Sequence, residues 1–228
     1  MAQPTVEATR QELRLKMTYE EYLAYGESPI QSEFVDGEVI VFVSNDRAHQ
    51  RIVLFLGSLL AQFVEAFNLG EILTAPFEMR LIIGRLSREP DVLFVAKKNL
   101  DRLSNKRLEG PADLAVELIS DDSTTRDRRV KYSEYEAAGV PEYWVLDSRA
   151  GRRSAQFYQL VDGRYQEIEP DAEGRYHSAI IPGFWLRVDW LWQDPLPSLF
   201  RCLREIAPDA LDAAESPDRE RRPIDGGA

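Results

Sequence analysis

Two acids stand where an apolar strand has no packing use for them. Asp91 follows Pro90 at the mouth of an extended run, and Glu117 interrupts the aliphatic strand Leu114-Ala115-Val116-Glu117-Leu118-Ile119, 26 residues later. A carboxylate flanked by aliphatic side chains carries a heavy desolvation cost unless it is paired, hydrogen-bonded or coordinated to a cation. Two such strands side by side would bring the carboxylates together. Like charges that close raise one of the two pKa values, and a divalent cation removes the conflict by neutralising both, the usual reason for paired acids in phosphodiester chemistry. A structural ion pair, or an acid at a strand edge, accounts for the same residues without any chemistry.

Composition narrows the cation. His49 and His177 are the only histidines and Cys202 the only cysteine. These exclude a His-rich metal site, a cysteine cage and an intramolecular disulfide framework, and they suit a reducing, cytoplasmic setting. The remaining choice is a hard ion held by carboxylates, Mg²⁺ or Mn²⁺. With 28 Lys+Arg against 39 Asp+Glu the net charge is −11, so the surface as a whole repels nucleic acid and anionic membranes. Binding to DNA would need a local basic patch. Lys97, Lys98, Arg102, Lys106 and Arg107 against Asp101 give one loop a net charge of +4 between the two acids. That loop is the candidate DNA-facing patch, and a solvated loop with ordinary charge scatter is its plain alternative. Met1 to Lys16 has no apolar core of signal-peptide length, and the apolar stretch Ile52 to Ala61 is too short to span a bilayer. The expectation is a soluble intracellular protein without membrane association.

The elements that must position these acids fit one domain, as 228 residues suggest. Residues 1–16 are expected to form a flexible N-terminus, 17–195 the domain, 196–207 a C-terminal helix and 208–228 a disordered tail. Thr18 and Glu21 form a capping box and Met17 and Tyr22 a hydrophobic staple, opening a helix that stops at Gly26. Asp36-Gly37 between Ser32–Val35 and Glu38–Val43 predicts a type I′ hairpin. Ile52, Phe55, Leu56, Leu59, Leu60 and Phe63 recur every three or four residues, which predicts a long amphipathic helix from about Arg47 to Gly70. Extended runs follow at 71–75, 77–83, 91–96 and 113–120. A second helix, N-capped by Thr124 with Asp127, runs through Lys131 and Tyr135 to a Gly139 stop and precedes the strand 142–147. Residues 155–192 read as further strands of the same sheet, with Asp162-Gly163 as a hairpin turn and Trp185, Trp190 and Trp192 as packing aromatics. The fold class is α/β with a mixed α+β sheet.

Pro90-Asp91, Glu117 in an apolar strand, Ser120, and a helix bearing Lys131 and Tyr135 form an ordered set. Together with Glu33-Phe34-Val35-Asp36-Gly37-Glu38 and Gly139-Val140-Pro141-Glu142-Tyr143-Trp144-Val145-Leu146-Asp147, it resembles the bacterial "putative restriction endonuclease" family of the PD-(D/E)XK nuclease superfamily. The resemblance covers roughly Met17 to Trp192. It implies a restriction-endonuclease-like core of helix, three strands, helix and strand, here with an N-terminal hairpin and a C-terminal β extension. It also implies that Asp91 and Glu117 hold the cation. The superfamily places a lysine two residues after the second acid, where this chain has Ile119. Lys131 resembles a replacement that has migrated to the following helix, to orient the attacking water or stabilise charge on phosphate. Paired instead with Asp127 at i, i+4, Lys131 would be an ordinary solvated helix residue.

Glu33 matches the family's early acid and would reach the cation directly or through water; an exposed strand position is the alternative. His49 corresponds to a histidine often found there and would approach a phosphate, although capping or packing explains it equally. Ser120 would bond backbone or phosphate near a helix start. The expected activity is Mg²⁺-dependent endonucleolytic cleavage of DNA. Its competitors are a non-catalytic nucleic-acid-binding or regulatory module on the same fold, and an enzyme using paired carboxylates on a glycoside. A homodimer would suit the cutting of two strands.

Overall fold

The computed structural model describes residues 13–25, 32–41, 47–119, 126–149 and 151–208. In chain order the elements are β1 (Leu13–Lys16), α1 (Tyr19–Tyr25), β2 (Ser32–Val35), β3 (Glu38–Val41), α2 (Arg47–Ala66), β4 (Gly70–Thr74), β5 (Glu78–Ile82), β6 (Leu86–Arg88) and β7 (Val92–Ala96). They continue with β8 (Arg107–Glu109), β9 (Leu114–Ile119), α3 (Tyr132–Ala138), β10 (Glu142–Asp147), β11 (Ser154–Val161), β12 (Arg164–Glu167), β13 (Arg175–His177), β14 (Trp185–Arg187) and α4 (Leu199–Ile206). Short 3₁₀ helices cover Lys97–Arg102 and Val188–Trp192, and a π-helical turn, Arg126–Lys131, leads into α3.

The local signals form the structures their chemistry requires. Glu21 N–H donates to Thr18 Oγ1 at 3.2 Å while Thr18 N–H donates to Glu21 Oε2 at 2.7 Å, so the capping box opens α1. Asp36 and Gly37 take φ of 46° and 86°, the left-handed pair that a type I′ turn needs to match strand twist. In α2 the predicted stripe is buried from Ile52 to Val64. Gly139 ends α3 with φ 82°, its N–H returning to Glu136 and Tyr135 carbonyls.

The strands form two six-stranded sheets and a ribbon rather than the single sheet expected. One sheet has the order β12-β11-β10-β9-β7-β4 and the other β1-β3-β2-β6-β5-β8. β9 and β10 run parallel at the centre of the first and are buried at every position, as a sheet covered on both faces demands. Alternation divides their side chains. Leu114, Val116, Leu118, Trp144 and Leu146 pack under α2 and α4, whereas Ala115, Ile119, Tyr143 and Val145 pack with Tyr135 of α3 on the other face. Within this sheet the chain order α2, β4, β7, β9, α3, β10 is the core of helix, three strands, helix and strand.

Three differences from the sequence reading have local causes. Leu13–Lys16, placed in the polar N-terminus, is a strand because β3 offers it an edge, in the register Leu13↔Val41 to Lys16↔Glu38. Strands β6 and β8 are only three residues long, too short for a period to register. β11 and β12 extend the first sheet as expected, but β13 and β14 form their own ribbon. In that ribbon Tyr176 stacks on Phe157 with centroids 3.9 Å apart. The C-terminal helix is present as α4, burying Cys202, Leu203 and Ile206. Residues 1–12, the Gly26 stop, the end of the hairpin at 42–43, Ser120, the Thr124 cap and the tail from 209 lie outside the described residues.

Candidate active site

The two acids stand at adjacent positions on neighbouring strands because those strands pair. β7 and β9 run antiparallel in the register Val92↔Val116, and one step further along stand Asp91 and Glu117. Leu118 N–H donates to Asp91 Oδ2 at 2.7 Å, tying the Asp91 carboxylate to the strand that carries Glu117. The other oxygen, Oδ1, lies 3.0 Å from His49 Nε2, which arrives from the first turn of α2. His49, a candidate phosphate contact in the sequence, is buried here against Asp91.

Glu117 is 3 % exposed and meets two side chains from one helical face. Lys131 Nζ donates to its Oε2 at 2.7 Å and the Tyr135 hydroxyl to its Oε1 at 2.7 Å. The two donors are four residues apart, one turn along the π-helical start and α3, so they project together. Burial, and then the Glu117 charge, push the Tyr135 hydroxyl well above its ordinary pKa, which keeps it a neutral donor. Ile119, two residues beyond Glu117, is buried in the apolar cluster beneath α3, and the ammonium that meets Glu117 is that of Lys131.

A second carboxylate holds the same ammonium. Lys131 Nζ lies 2.9 Å from Glu33 Oε1, and Glu33 Oε2 accepts from Arg88 Nη1 at 2.8 Å. Arg88, 1 % exposed, forks its remaining edge onto Glu134, Nε and Nη2 donating at 2.8 and 2.7 Å. Burial works against the Arg88 charge, but Glu33 and Glu134 outweigh it and hold its pKa above the ordinary value. Beside them Glu89 accepts from Ser32 N–H at 2.9 Å. Burial, reinforced by the Glu33 and Glu78 charges, pushes its carboxyl up to about 8, so it is mostly neutral at pH 7.

The donor set suits a hard cation. Among the described residues no group of three or more His, Cys, Asp or Glu forms a closed metal cage. What is present is two carboxylates on paired strands, the arrangement in which Mg²⁺ is held by one or two carboxylates and completes its shell with water and phosphate oxygens. The acceptor atoms of these acids are carboxylate oxygens and no sulfur ligand is among the site residues described, which favours a hard cation over a soft one.

Glu33, His49, Asp91, Glu117 and Lys131 are thus brought together, and the basic loop is not. Lys97 and Lys98 sit on the 3₁₀ helix after β7, at the opposite end of that strand from Asp91. Lys106 precedes β8 at the edge of the other sheet, and Arg107 Nε lies 2.9 Å from Glu78 Oε2, an ion pair that occupies its charge. Sequence reasoning missed Arg88, Glu89 and Glu134 and read Tyr135 only as part of a helix. The one signal was the polar run Ser87-Arg88-Glu89 directly ahead of Pro90-Asp91.

A mixed α+β fold built this way is nuclease-like. A crystal structure described as "a putative nuclease belonging to DUF820", from Anabaena variabilis ATCC 29413, superposes with a TM-score of 0.63 at 18% identity, over 77% of this chain and 97% of that one. The family Uma2, described as "Putative restriction endonuclease", matches residues 19–189, and the chain belongs to it. No curated protein matches. No helix among the described residues is long and apolar enough to cross a membrane.

Proposed function

We propose that this protein is an endodeoxyribonuclease of the PD-(D/E)XK type, hydrolysing DNA phosphodiester bonds with Mg²⁺ or Mn²⁺ held by Asp91 and Glu117. The bound ion supplies Lewis-acid charge at the scissile phosphate. Lys131 presents its ammonium beside Glu117, where it orients the attacking water or stabilises negative charge developing on phosphate. His49 and the Leu118 N–H fix the Asp91 carboxylate, and Tyr135 fixes that of Glu117. One observation carries the reading: the Lys131 ammonium, 2.7 Å from Glu117, reaches from a helix the charge that Ile119 cannot supply, next to the strand step shared with Asp91.

Purified protein should nick or cut DNA in Mg²⁺ or Mn²⁺ and stop in EDTA. Asp91→Ala and Glu117→Ala, checked for folding by circular dichroism, should abolish that activity, and unchanged cleavage in both variants rejects the assignment. A second reading, a non-catalytic nucleic-acid-binding module, is favoured by the Lys131 bridge between Glu117 and Glu33, which neutralises acid charge without a metal. Calorimetry separates the two. DNA binding with no Mn²⁺ uptake at Asp91 and Glu117 supports the module, and Mn²⁺ uptake with strand scission supports the nuclease. Two copies of the chain would suit cleavage of both strands, and sedimentation of the DNA complex tests that.

A further inference from the structure

We infer that Glu33 and Arg88 form a positioning device for the Lys131 ammonium, so that Glu33 acts on the lysine and is not a ligand of the cation; this rests on the nuclease reading of the site. β2 and β6 pair antiparallel in the register Phe34↔Ser87, and the next step along brings Glu33 opposite Arg88. The pair is therefore imposed by backbone register across one sheet, while Glu117 belongs to the other sheet. The helical segment between them carries complementary charges in the opposite order. Lys131 meets Glu33 and Glu117 at 2.9 and 2.7 Å, and Glu134, three residues on, meets Arg88 at 2.6 Å. The result is an alternating chain, Glu134–Arg88–Glu33–Lys131–Glu117, that joins both sheets through α3.

The order of charges has a chemical reason. A divalent cation at Asp91 and Glu117 draws on the same carboxylate that holds the ammonium, and the two positive groups repel at close range in a site where water screens little. A lysine anchored by Glu117 alone would swing away as the cation bound. A second carboxylate behind it prevents that, and it must be rigid and already neutralised on its far side. Arg88 does both, because its planar fork locks Glu33 on one edge and Glu134 on the other. Both Glu33 oxygens thereby face cations of the chain itself.

Glu33→Gln and Arg88→Lys test the assignment, with Mn²⁺ affinity measured by calorimetry and cleavage split into kcat and KM. Both variants should bind Mn²⁺ within about threefold of wild type and keep KM, while kcat falls roughly 100-fold for Glu33→Gln and less for Arg88→Lys, the scale of losing a preorganised charge. Glu33→Gln combined with Lys131→Ala should be no slower than Lys131→Ala alone, since both remove the same placed ammonium. A tenfold or larger loss of Mn²⁺ affinity in Glu33→Gln makes Glu33 a ligand and overturns the inference, as does a double variant whose losses multiply. Proton exchange at the ¹⁵N-labelled Lys131 ammonium gives a readout that needs no catalysis: Glu33→Gln should speed it about tenfold, and an unchanged rate overturns the inference. A wild-type protein that never cuts DNA would sink the nuclease reading while leaving that exchange result standing.

Discussion

Two buried glutamates on neighbouring strands have opposite fates. Glu117 of β9 and Glu142 of β10 belong to one parallel ladder, in which Glu142 pairs with Leu114 and Glu117 with Val145. Glu142 is met by neutral donors, among them Trp144 Nε1 at 2.7 Å on Oε1, and on Oε2 the N–H groups of Ala179 and Ile180 at 2.8 and 3.2 Å with Ser178 Oγ at 3.1 Å. Burial raises its pKa and those donors oppose the rise. It clasps the 178–180 turn onto the sheet. Glu117, on the other face, faces an ammonium and a phenol, and its strand neighbour is a second acid. A buried carboxylate is therefore no mark of chemistry by itself. The partner type distinguishes a clasp from a candidate site, because dipoles solvate a charge in place while a cationic side chain and an adjacent acid set charges against one another.

Isosteric amides should break the two apart. Glu117→Gln is expected to lower cleavage by about 10³-fold or more, since it removes the charge proposed to bind the ion, whereas Glu142→Gln should leave the rate of folded protein intact. The Glu142 change should instead cost about 1–3 kcal/mol of stability, read by urea denaturation, because an amide NH₂ cannot accept the hydrogen bonds of the carboxylate oxygen it replaces. Lys131→Ala should lower kcat by about 10²–10³-fold, measured as single-turnover cleavage, with Mn²⁺ affinity retained.

Glu89 sharpens the contrast through pH. Its folded pKa of about 8 lies above the ordinary glutamate value of about 4.5, so the folded state holds the proton more tightly. The unfolded chain releases it first, and stability should fall as pH rises from about 4.5 to about 8, by an amount on the order of a few kcal/mol. Glu89→Gln should flatten that slope and gain stability above pH 8; a slope that survives the change assigns it to other groups. The smallest effect is expected far from both acids. Thr18→Ala loses the cap on α1 and should cost about 1 kcal/mol in denaturation, with no change in cleavage.

What could be read without a structure was what neighbours in the chain decide. The Thr18–Glu21 box, the Asp36-Gly37 turn, the stripe of α2 and the stop at Gly139 each depend on a few consecutive residues, and each is present. Asp91 and Glu117 were conspicuous because an acid among aliphatics is out of place on any strand. The division into two sheets was not legible, since β6 and β8 are three residues each and carry no period. Nor was Arg88, whose partner Glu33 is 55 residues away and faces it only through the β2–β6 register. The placement of Lys97 and Lys98 was not legible for the same reason, because closeness to Asp91 in sequence becomes the far end of β7 in space.

The chain alone specified its helices, its turns and the identity of its two displaced acids, because propensity, capping and desolvation act at short range. Which charge answers which was decided only on folding, when strand register and one helix laid across two sheets set Lys131, Arg88 and Glu33 in line. Coulomb interactions at such contacts depend on distances that no spacing along a sequence encodes.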